Sequence, residues 1–420
     1  MTPLTPAQKR SIILKIRRLV LKLHINVAGI DYNQWKRLVD DRTAELACAE
    51  TEQFETGVRQ LLGELQTSHT TFLRGIPEQL RPQHTINATL RKASLGDRDH
   101  WVFLDVFEDG PAARAGIKPG QILCAVDREP VREDSPPMFS VGRQYTFTIG
   151  SAHSETRVDV VVEIPVVKGS KAHPALVPPK TIATKILDGD VGVLKIGWFT
   201  ATMGLGFARE LDSAIGGLKR TGCDRLIIDL RGNIGGGLGF ARLASYLCPG
   251  EVAIGQSLTP RRLRSGYHRE SLPRIPMPNS RTGLIIALTR FLVKDKSLVL
   301  LTQGLGHQPF HGRVAIMVNE FTYSAAEMVA NFAQENALAL IVGTKTAGMV
   351  LGGRNLAVGG GYWLGLPVFG WFTSRGETIE GQGVVPNIQV DALPELLRVG
   401  RDEQLAAAVE AINIERSRQR

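Results

Sequence analysis

The chain has 420 residues and a formal net charge of +9, and 43% of its residues are hydrophobic. This length exceeds what one hydrophobic core usually supports, so we expect roughly two to four domains. No uninterrupted apolar run approaches the roughly 20 residues that a membrane helix needs, and no signal-type apolar block opens the chain, so we expect a cytoplasmic protein without a membrane span.

The positive charge is concentrated in one segment, whereas the cysteines are scattered. Residues 261–296 hold nine Lys and Arg against two Asp and Glu, an excess of nine minus two, or +7. Few aromatic residues are interleaved with these cations, so the segment is typical of a solvated insertion rather than of a nucleic-acid-binding groove. The four cysteines form no CxxC pair, which predicts no zinc site, and we expect no cofactor.

The first 78 residues are predicted to form a helical N-terminal segment. Apolar residues within 12–23 and 54–65 recur at the spacing of one helix face. The last helix is expected to end at Thr67-Ser68-His69-Thr70, because hydroxyl side chains there compete for backbone hydrogen bonds. His69 is therefore predicted to lie in a turn, where a lone histidine is more often a surface residue than a catalytic one.

Residues 79–167 change to short β-rich runs separated by turns, of which the clearest are 101–107, 121–126, 145–149 and 158–164. A stretch containing Gly116-Ile-Lys-Pro-Gly120 lies between the first two runs. This stretch resembles the turn, short helix and strand of PDZ domains. The resemblance implies a β-rich PDZ-like domain, which can add an extended peptide to a strand edge. Its carboxylate-binding loop, at residues 93–98, departs from the usual glycine-rich pattern.

Residues 168–395 are predicted to form an α/β core. A proline-containing linker is expected at 168–185. Strand and helix signals then alternate, with strands at 191–196 and 225–230 and helices at 206–218 and 238–247. A terminal helix is predicted at 403–414, within a C-terminal segment of residues 396–420.

A glycine-rich stretch, Asp229-Leu-Arg-Gly-Asn-Ile-Gly235-Gly236-Gly237, joins a predicted strand to a predicted helix. It is not a phosphate-binding loop, because no GxGxxG register fits and the Lys-Ser/Thr of a P-loop is absent. Glycine leaves the backbone amides unshielded, which suits either an oxyanion hole or close backbone packing. The stretch alone leaves both interpretations open.

Ser324 lies where a predicted buried strand, 314–318, gives way to a predicted helix. Ser324-x-x-Glu327 is a capping box, which is a structural role. A hydroxyl group at the positive end of a helix dipole is also favourable for a nucleophile, because negative charge is stabilised there. From this stretch alone, capping is the simpler interpretation.

Five motifs occur in the order typical of one peptidase family: VGVLKIGWF, LIIDLRGNIGGG, VAIMVNEFTYSAAE, IVGTKTAG and IEGQGVVPNIQV. Over residues 55–391 the chain thereby resembles the C-terminal processing peptidases, or tail-specific proteases, a family that includes the tricorn protease. The resemblance implies a crotonase-like α/β core with an inserted PDZ-like domain and a helical N-terminal segment. It also implies hydrolysis of peptide bonds by a serine nucleophile.

The resemblance assigns roles to particular residues. Ser324 matches the nucleophile. The amides of Ala325 and of Gly235 or Gly236 match the oxyanion hole, in which each donor can lower the barrier by roughly 3 kcal/mol. The lysine of the serine-lysine dyad is missing, because Met349 stands in its place. Lys345, four residues earlier, is the alternative base.

The tricorn branch uses a histidine, and Ser68-His69 resembles its serine-histidine pair. We therefore expect His69 to accept and then donate the proton, with Ser68 and Glu380 orienting it. An imidazole with a pKa near 6.5 can do this at neutral pH, whereas a lysine must first be desolvated. Glu377, three residues before Glu380, is the alternative acidic residue.

The predicted function is that of a serine peptidase acting on peptides or unfolded proteins, with no nucleic-acid partner. The alternative is a catalytically silent member that binds peptides or apolar ligands, because Met349 replaces the lysine and residues 362–372 are strongly hydrophobic. The intact set of Ser324, His69 and Glu380 favours the enzyme, since a binding scaffold does not require it. Formation of a homo-oligomer is left open.

Overall fold

The computed structural model describes residues 3–95, 98–151, 154–169, 174–188, 190–200, 205–278, 282–283, 285, 289, 297–305 and 309–418. The helices with described bounds are α1 (Pro6–Leu23), α2 (Tyr32–Cys48), α3 (Thr51–Gly63), α4 (Pro82–Thr85), α5 (Pro111–Arg114), α6 (Leu205–Arg220), α7 (Gly239–Leu247), α8 (Pro260–Ser265), α9 (Ala325–Glu335), α10 (Pro394–Arg398) and α11 (Glu403–Arg418). A short 3₁₀ helix covers Arg269–Ser271.

The strands alternate with these helices along the chain. Their bounds are β1 (Thr71–Arg74), β2 (Gln79–Leu80), β3 (Ala88–Leu95), β4 (Arg98–Val106), β5 (Ile122–Val126), β6 (Glu129–Pro130), β7 (Phe139–Ser140), β8 (Gln144–Ser151), β9 (Ser154–Glu163), β10 (Ile182–Leu187), β11 (Val191–Ile196), β12 (Arg225–Asp229), β13 (Ala253–Leu258), β14 (Arg274–Pro276), β15 (Leu298–Leu301), β16 (Arg313–Val318), β17 (Leu340–Gly343), β18 (Gly352–Gly359), β19 (Tyr362–Thr373) and β20 (Ile388–Gln389).

The central sheet has the strand order β10-β11-β12-β16-β17-β20, and only β10 runs antiparallel to its neighbour. Alternate residues of β12 face opposite sides. Ile228 packs in the same core cluster as Phe332 of α9, whereas Ile227 packs with Ala408 and Ile412 of α11. Helices thus cover both faces, which is why these strands are continuously apolar. The mixed α/β architecture predicted from the alternating signals is confirmed.

A second sheet, of order β1-β19-β13-β15-β14 with β18 paired to β19, joins the N-terminal helices to the rest. Strand β1 begins two residues after His69, and Phe72 lies opposite Leu364 of β19. The rings of Phe72 and Tyr362 stack at 4.8 Å, and Phe54 of α3 meets both edge-on. Burial of these large rings fixes the position of the turn that precedes β1.

A third sheet, of order β3-β4-β5-β8-β9 with β6 paired to β5, encloses its own apolar core. Several side chains connect this β-rich region to the loops around the central sheet, among them Gln83, Arg91 and Asp105. Gln83 Nε2 donates to Gly232 O at 2.7 Å, and Asp105 Oδ2 accepts from Asn319 Nδ2 at 2.9 Å. Gly232 and Asn319 lie close in sequence to Gly236 and Ser324, respectively.

Differences from the predicted elements are small and have local causes. The last residues of the predicted linker at 168–185 belong to β10, because Ile182 pairs with Ile196 across the sheet edge. Strand β12 ends at Asp229 rather than 230, and the terminal helix continues beyond 414 to Arg418.

The basic segment contributes a cap to the N-terminal helices. Arg264 donates to the carbonyls of Leu21 and Lys22, which lie in the last turn of α1, and a cation is favourable at that end of a helix. Other cations of the segment, Arg281, Arg290, Lys294 and Lys296, fall outside the described residues. Among the helices that the structure describes, none combines the length and hydrophobicity needed to cross a bilayer.

Candidate active site

Ser324 lies in the sharp turn between β16 and α9. Its backbone has φ 54° and ψ −116°, a left-handed conformation that a serine adopts only when its surroundings impose it. The Tyr323 amide donates to Asn233 O at 2.9 Å, and the Ser324 amide donates to Glu327 Oε2 at 2.9 Å. The turn is therefore held from both sides, and the half-buried Ser324 faces a cavity at the end of the helix.

Glu327 does more than cap the helix. Its carboxylate is fully buried and accepts four hydrogen bonds, from the amides of Ser324, Gly348 and Met349 and from the hydroxyl of Thr346, at 2.6 to 2.9 Å. Burial raises the pKa of Glu327, although the four donors oppose this effect. The capping box predicted this residue as a helix cap, but its link to residues 346–349 follows only from the tertiary structure.

The glycine-rich stretch packs directly against Ser324. A Cβ atom on Gly235 would lie 2.7 Å from Ser324 Cβ, and one on Gly236 would lie 1.7 Å from Phe199 O. Both glycines have positive φ, 81° and 135°. Side chains are therefore excluded here, which leaves room for a substrate atom beside the backbone.

The two candidate oxyanion donors of this stretch are not equivalent. The Gly235 amide donates to Asn233 Oδ1 at 2.8 Å, so of the two alternatives predicted for this donor, Gly235 already has an acceptor. The amides of Gly236 and Ala325 have no acceptor among the described residues, and both residues line the cavity. Asn233, which is fully buried, also donates to Ile196 O at 2.8 Å and so fixes the loop.

His69 occupies a second strained turn, with φ 61°. Its Nδ1 atom lies 2.8 Å from Ser68 Oγ. If Nδ1 carries the proton and donates to Ser68, Nε2 is free to accept one. Burial lowers the pKa of His69 below its ordinary value of 6.5, and the nearby charge of Glu380 partly opposes this shift.

Glu380 approaches the histidine turn through the backbone. Its Oε1 accepts from the Ser68 amide at 2.7 Å, and its Oε2 accepts from the Val350 amide at 2.9 Å. One carboxylate thus fixes both the turn that carries His69 and the chain that leads into β18. Ser68 and Glu380 were predicted to orient His69, and the structure brings all three together.

His69 and Ser324 line one cavity of about 570 Å³. Within the described chain, no hydrogen bond connects the two side chains, and such bonds are often long before substrate binds. The remaining wall is mostly apolar, and its larger side chains are Leu238, Phe240, Ile275, Leu298, Leu300, Met328, Leu351, Phe369 and Trp371. His69 is the one titratable side chain among the lining residues that the structure describes.

The alternative residues lie elsewhere. Lys345 is exposed and does not line the cavity. Its neighbours on either side, Thr344 and Thr346, donate hydrogen bonds to Glu320 and Glu327. Glu377 is also exposed and lines a different depression. Across the described residues, no cluster of His, Cys, Asp and Glu suited to a metal ion is found.

Comparisons with known proteins agree with this fold. Residues 190–390 match the model of peptidase family S41. The chain is 24% identical over 290 residues to a probable CtpA-like serine protease of Staphylococcus saprophyticus, and the match covers 68% of this chain and 49% of that protein. The chain therefore spans about half the length of the staphylococcal relatives that it matches.

Two solved structures have a similar fold. The photosystem II D1 C-terminal processing protease superposes with a TM-score of 0.56 at 17% identity, covering 92% of this chain and 94% of that one. The tricorn protease superposes with a TM-score of 0.50 at 18% identity, covering 98% of this chain and 37% of that one. At these identities the likeness concerns the fold.

Proposed function

We propose that this chain, a member of peptidase family S41, is a serine peptidase that hydrolyses peptide bonds in peptides or unfolded proteins. The observation that carries the proposal is the meeting of Ser324, His69 and the amides of Gly236 and Ala325 at one cavity. These groups come from three distant parts of the sequence, whereas a helix cap would need only Ser324.

In the proposed mechanism, Ser324 Oγ attacks the carbonyl carbon of the scissile bond while His69 Nε2 takes its proton. The carbonyl oxygen becomes an oxyanion that the Gly236 and Ala325 amides stabilise, at roughly 3 kcal/mol for each donor. The Nδ1–H group of the imidazolium continues to donate a hydrogen bond to Ser68 Oγ. It then gives the Nε2 proton to the leaving amine as the carbon–nitrogen bond breaks, and an acyl-enzyme remains.

Hydrolysis of the acyl-enzyme repeats the same steps with water. His69 takes a proton from the water, the hydroxide attacks the ester carbon, and Ser324 leaves with the proton that His69 returns. Neutral His69 is the active base throughout. Its lowered pKa supports this role, because the imidazole is then unprotonated near neutral pH.

The wall of the cavity supports an extended, partly apolar substrate. Its apolar residues would bury a side chain next to the scissile bond, and a charged side chain there would have to lose its water without a partner. We further propose that the α/β core is crotonase-like and that the β-rich region, residues 79–167, is a PDZ-like domain that binds an extended peptide segment.

The same apolar wall favours one second candidate, a catalytically silent protein that binds peptides or apolar ligands. A fluorophosphonate probe distinguishes the two functions, because it reacts with an activated serine and not with a capping serine. The proposed enzyme should be labelled stoichiometrically at Ser324, as located by mass spectrometry. Absence of labelling would support the binding protein.

The matched control is Ser257→Ala, since Ser257 lines the same cavity but lies on β13. This variant should be labelled at Ser324 as the natural protein is. Ser324→Ala should lose labelling and cleavage of a denatured protein pool, and His69→Gln should cleave roughly 10²- to 10⁴-fold more slowly. Full activity of Ser324→Ala or of His69→Gln would refute the mechanism.

A further inference from the structure

A second histidine, His24, lies beneath the turn that carries His69. It follows the last residue of α1 and is 1% exposed. Its Nε2 atom lies 2.9 Å from Thr67 Oγ1, and its Nδ1 atom lies 2.8 Å from Tyr32 Oη. Thr67 Oγ1 is in turn 3.0 Å from Thr70 Oγ1. A continuous line of hydrogen bonds therefore runs from α2 to both ends of the turn Thr67–Thr70.

The positions of the protons in this line follow from its far end. Tyr32 Oη lies 3.0 Å from the carbonyl oxygen of His24, to which it can only donate. The tyrosine oxygen must then accept the Nδ1 proton of His24, which leaves Nε2 as an acceptor. Thr67 donates to Nε2, and Thr70 donates to Thr67. Each polar side-chain atom of the line is thus satisfied by neutral His24.

Neutral His24 is also the form that its surroundings favour. Burial lowers the pKa of His24 to about 4, so the ring carries no charge near neutral pH. A protonated ring would offer a second N–H to Thr67, and the direction of the line would have to reverse.

The turn needs support because its backbone is strained. Gln66 and His69 both have positive φ, 50° and 61°, a conformation in which non-glycine residues persist only when neighbouring contacts impose it. Glu380 holds the Ser68 amide from one side. On the other side, the described side-chain contacts of Thr67 are those with His24 and Thr70.

We propose that His24 is a positioning residue that, through Thr67, holds the turn Thr67–Thr70 in the conformation that directs His69 toward Ser324. The inference rests on the proposed function, since it concerns the orientation of the proposed base. His24 itself does not touch the cavity. In this proposal, helices α1 and α2 contribute to catalysis by fixing the geometry of a residue in the turn between α3 and β1.

Four variants test this role. His24→Leu and Thr67→Val break the contact with the turn, and Thr67→Val does so without changing the shape of the side chain. His24→Gln is the conservative variant, because its amide oxygen can still accept from Thr67. Thr43→Val is the matched control for Thr67→Val. It removes a buried threonine hydroxyl of α2 that donates to Val39 O and lies outside this line of hydrogen bonds.

The expected result is a loss of kcat with little change in KM. Misplacement of the base should lower kcat roughly 10- to 100-fold in His24→Leu and Thr67→Val, with KM within about twofold. His24→Gln should recover most of the rate, and Thr43→Val should keep kcat within about threefold. The assays are run well below each unfolding temperature, so that a purely structural loss of stability does not alter them.

A second measurement does not need catalysis. Titration of the His69 ring by NMR, identified by comparison with His69→Gln, should give a pKa closer to 6.5 in Thr67→Val than in the natural protein, because a loosened turn admits water. Thr43→Val should leave that pKa unchanged. If Ser324 of the natural protein is not labelled by the fluorophosphonate, the proposed function fails, and this titration alone decides the role of His24.

Two outcomes overturn the inference. One is a folded Thr67→Val variant with the kcat and the His69 pKa of the natural protein. The other is an equal loss of kcat in Thr67→Val and Thr43→Val, which would mean that the loss comes from weakened packing of the helices and not from a specific effect on the turn.

Discussion

The carboxylate of Glu380 accepts a hydrogen bond from the amide of Ser68, 312 positions earlier in the chain, at 2.7 Å. A carboxylate could have met the side chain of Ser68 or of His69, but this one meets the backbone. It therefore acts on the histidine in two ways: it fixes the turn, and its negative charge raises the pKa of His69 against the effect of burial.

The pH dependence of hydrolysis should reflect both effects. If His69 is the base as proposed, kcat/KM should fall as the pH falls through the His69 pKa, and this limb should lie below pH 6.5 since burial outweighs the charge of Glu380. Glu380→Gln keeps one of the two acceptor oxygens and removes the charge, so the limb should move to lower pH. A limb that moves to higher pH would contradict this account. The measurement is kcat/KM of a peptide substrate between pH 4 and 8.

The stability of the protein should also depend on pH, through His24. Its pKa is about 4 in the folded chain and near 6.5 when unfolded, so the unfolded state binds more protons between these values. The contribution of neutral His24 is fully present above pH 6.5 and is lost as the pH falls toward 4. It amounts to about 3 kcal/mol.

Urea unfolding at pH 7 and pH 4 measures this contribution, and His24→Gln is the control because it cannot be protonated. The free energy of unfolding of the natural protein should decrease by about 3 kcal/mol more than that of the variant. An equal decrease in both proteins would show that His24 does not titrate in this range.

Removal of the Glu327 carboxylate should be among the most damaging changes to the site. Glu327→Ala leaves four buried donors without an acceptor, and the expected loss in the free energy of unfolding is roughly 3 kcal/mol or more. Labelling at Ser324 should also decrease, because the amide next to the nucleophile loses its partner. Glu377→Ala is the control, since this exposed glutamate lies outside the cavity. Similar stabilities for the two variants would contradict the role of Glu327.

Alanine should have opposite effects at two glycines. In Gly236→Ala the new Cβ would lie 1.7 Å from Phe199 O, at a φ of 135°, so the loop must move and the oxyanion donor with it. If the Gly236 amide is an oxyanion donor as proposed, we expect a lower melting temperature and a decrease in kcat of roughly 10²- to 10³-fold. In Gly63→Ala, at the exposed end of α3, the Cβ meets no atom within 4 Å.

Gly63→Ala should therefore stabilise the chain by roughly 0.5–1 kcal/mol and leave kcat unchanged. Thermal unfolding and peptide hydrolysis of the two variants provide the comparison. Unchanged hydrolysis by Gly236→Ala would refute the assignment of its amide to the oxyanion hole.

The elements of the fold were predictable because their causes are local. Continuous apolar runs predicted β11, β12 and β16, and helical periodicity predicted α6 and α9, within a few residues of their ends. The turn positions of Ser324 and His69 followed in the same way. Their association, however, was inferred only from the resemblance of motifs, since local spacing contains no information on which turns meet.

The remaining features of the site depend on tertiary contacts. Whether Gly235 or Gly236 keeps a free amide depends on which one the buried side chain of Asn233 reaches. Lys345 was a reasonable alternative base by sequence distance, but its side chain faces solvent. His24 gave no signal, because a histidine at the end of an amphipathic helix is unremarkable until Thr67, 43 positions later, packs against it.

The pairing of Ser68 with Glu380 also bears on how the protein is made. Ribosomes add about 5–20 residues per second, so roughly 16 to 60 s separate the synthesis of the two residues across the 312 positions between them. Ser324, in the turn between β16 and α9, is synthesised during that interval, while the turn that carries His69 still lacks its contact with Glu380. The proposed site therefore cannot be fully assembled in a nascent chain until Glu380 has left the ribosome.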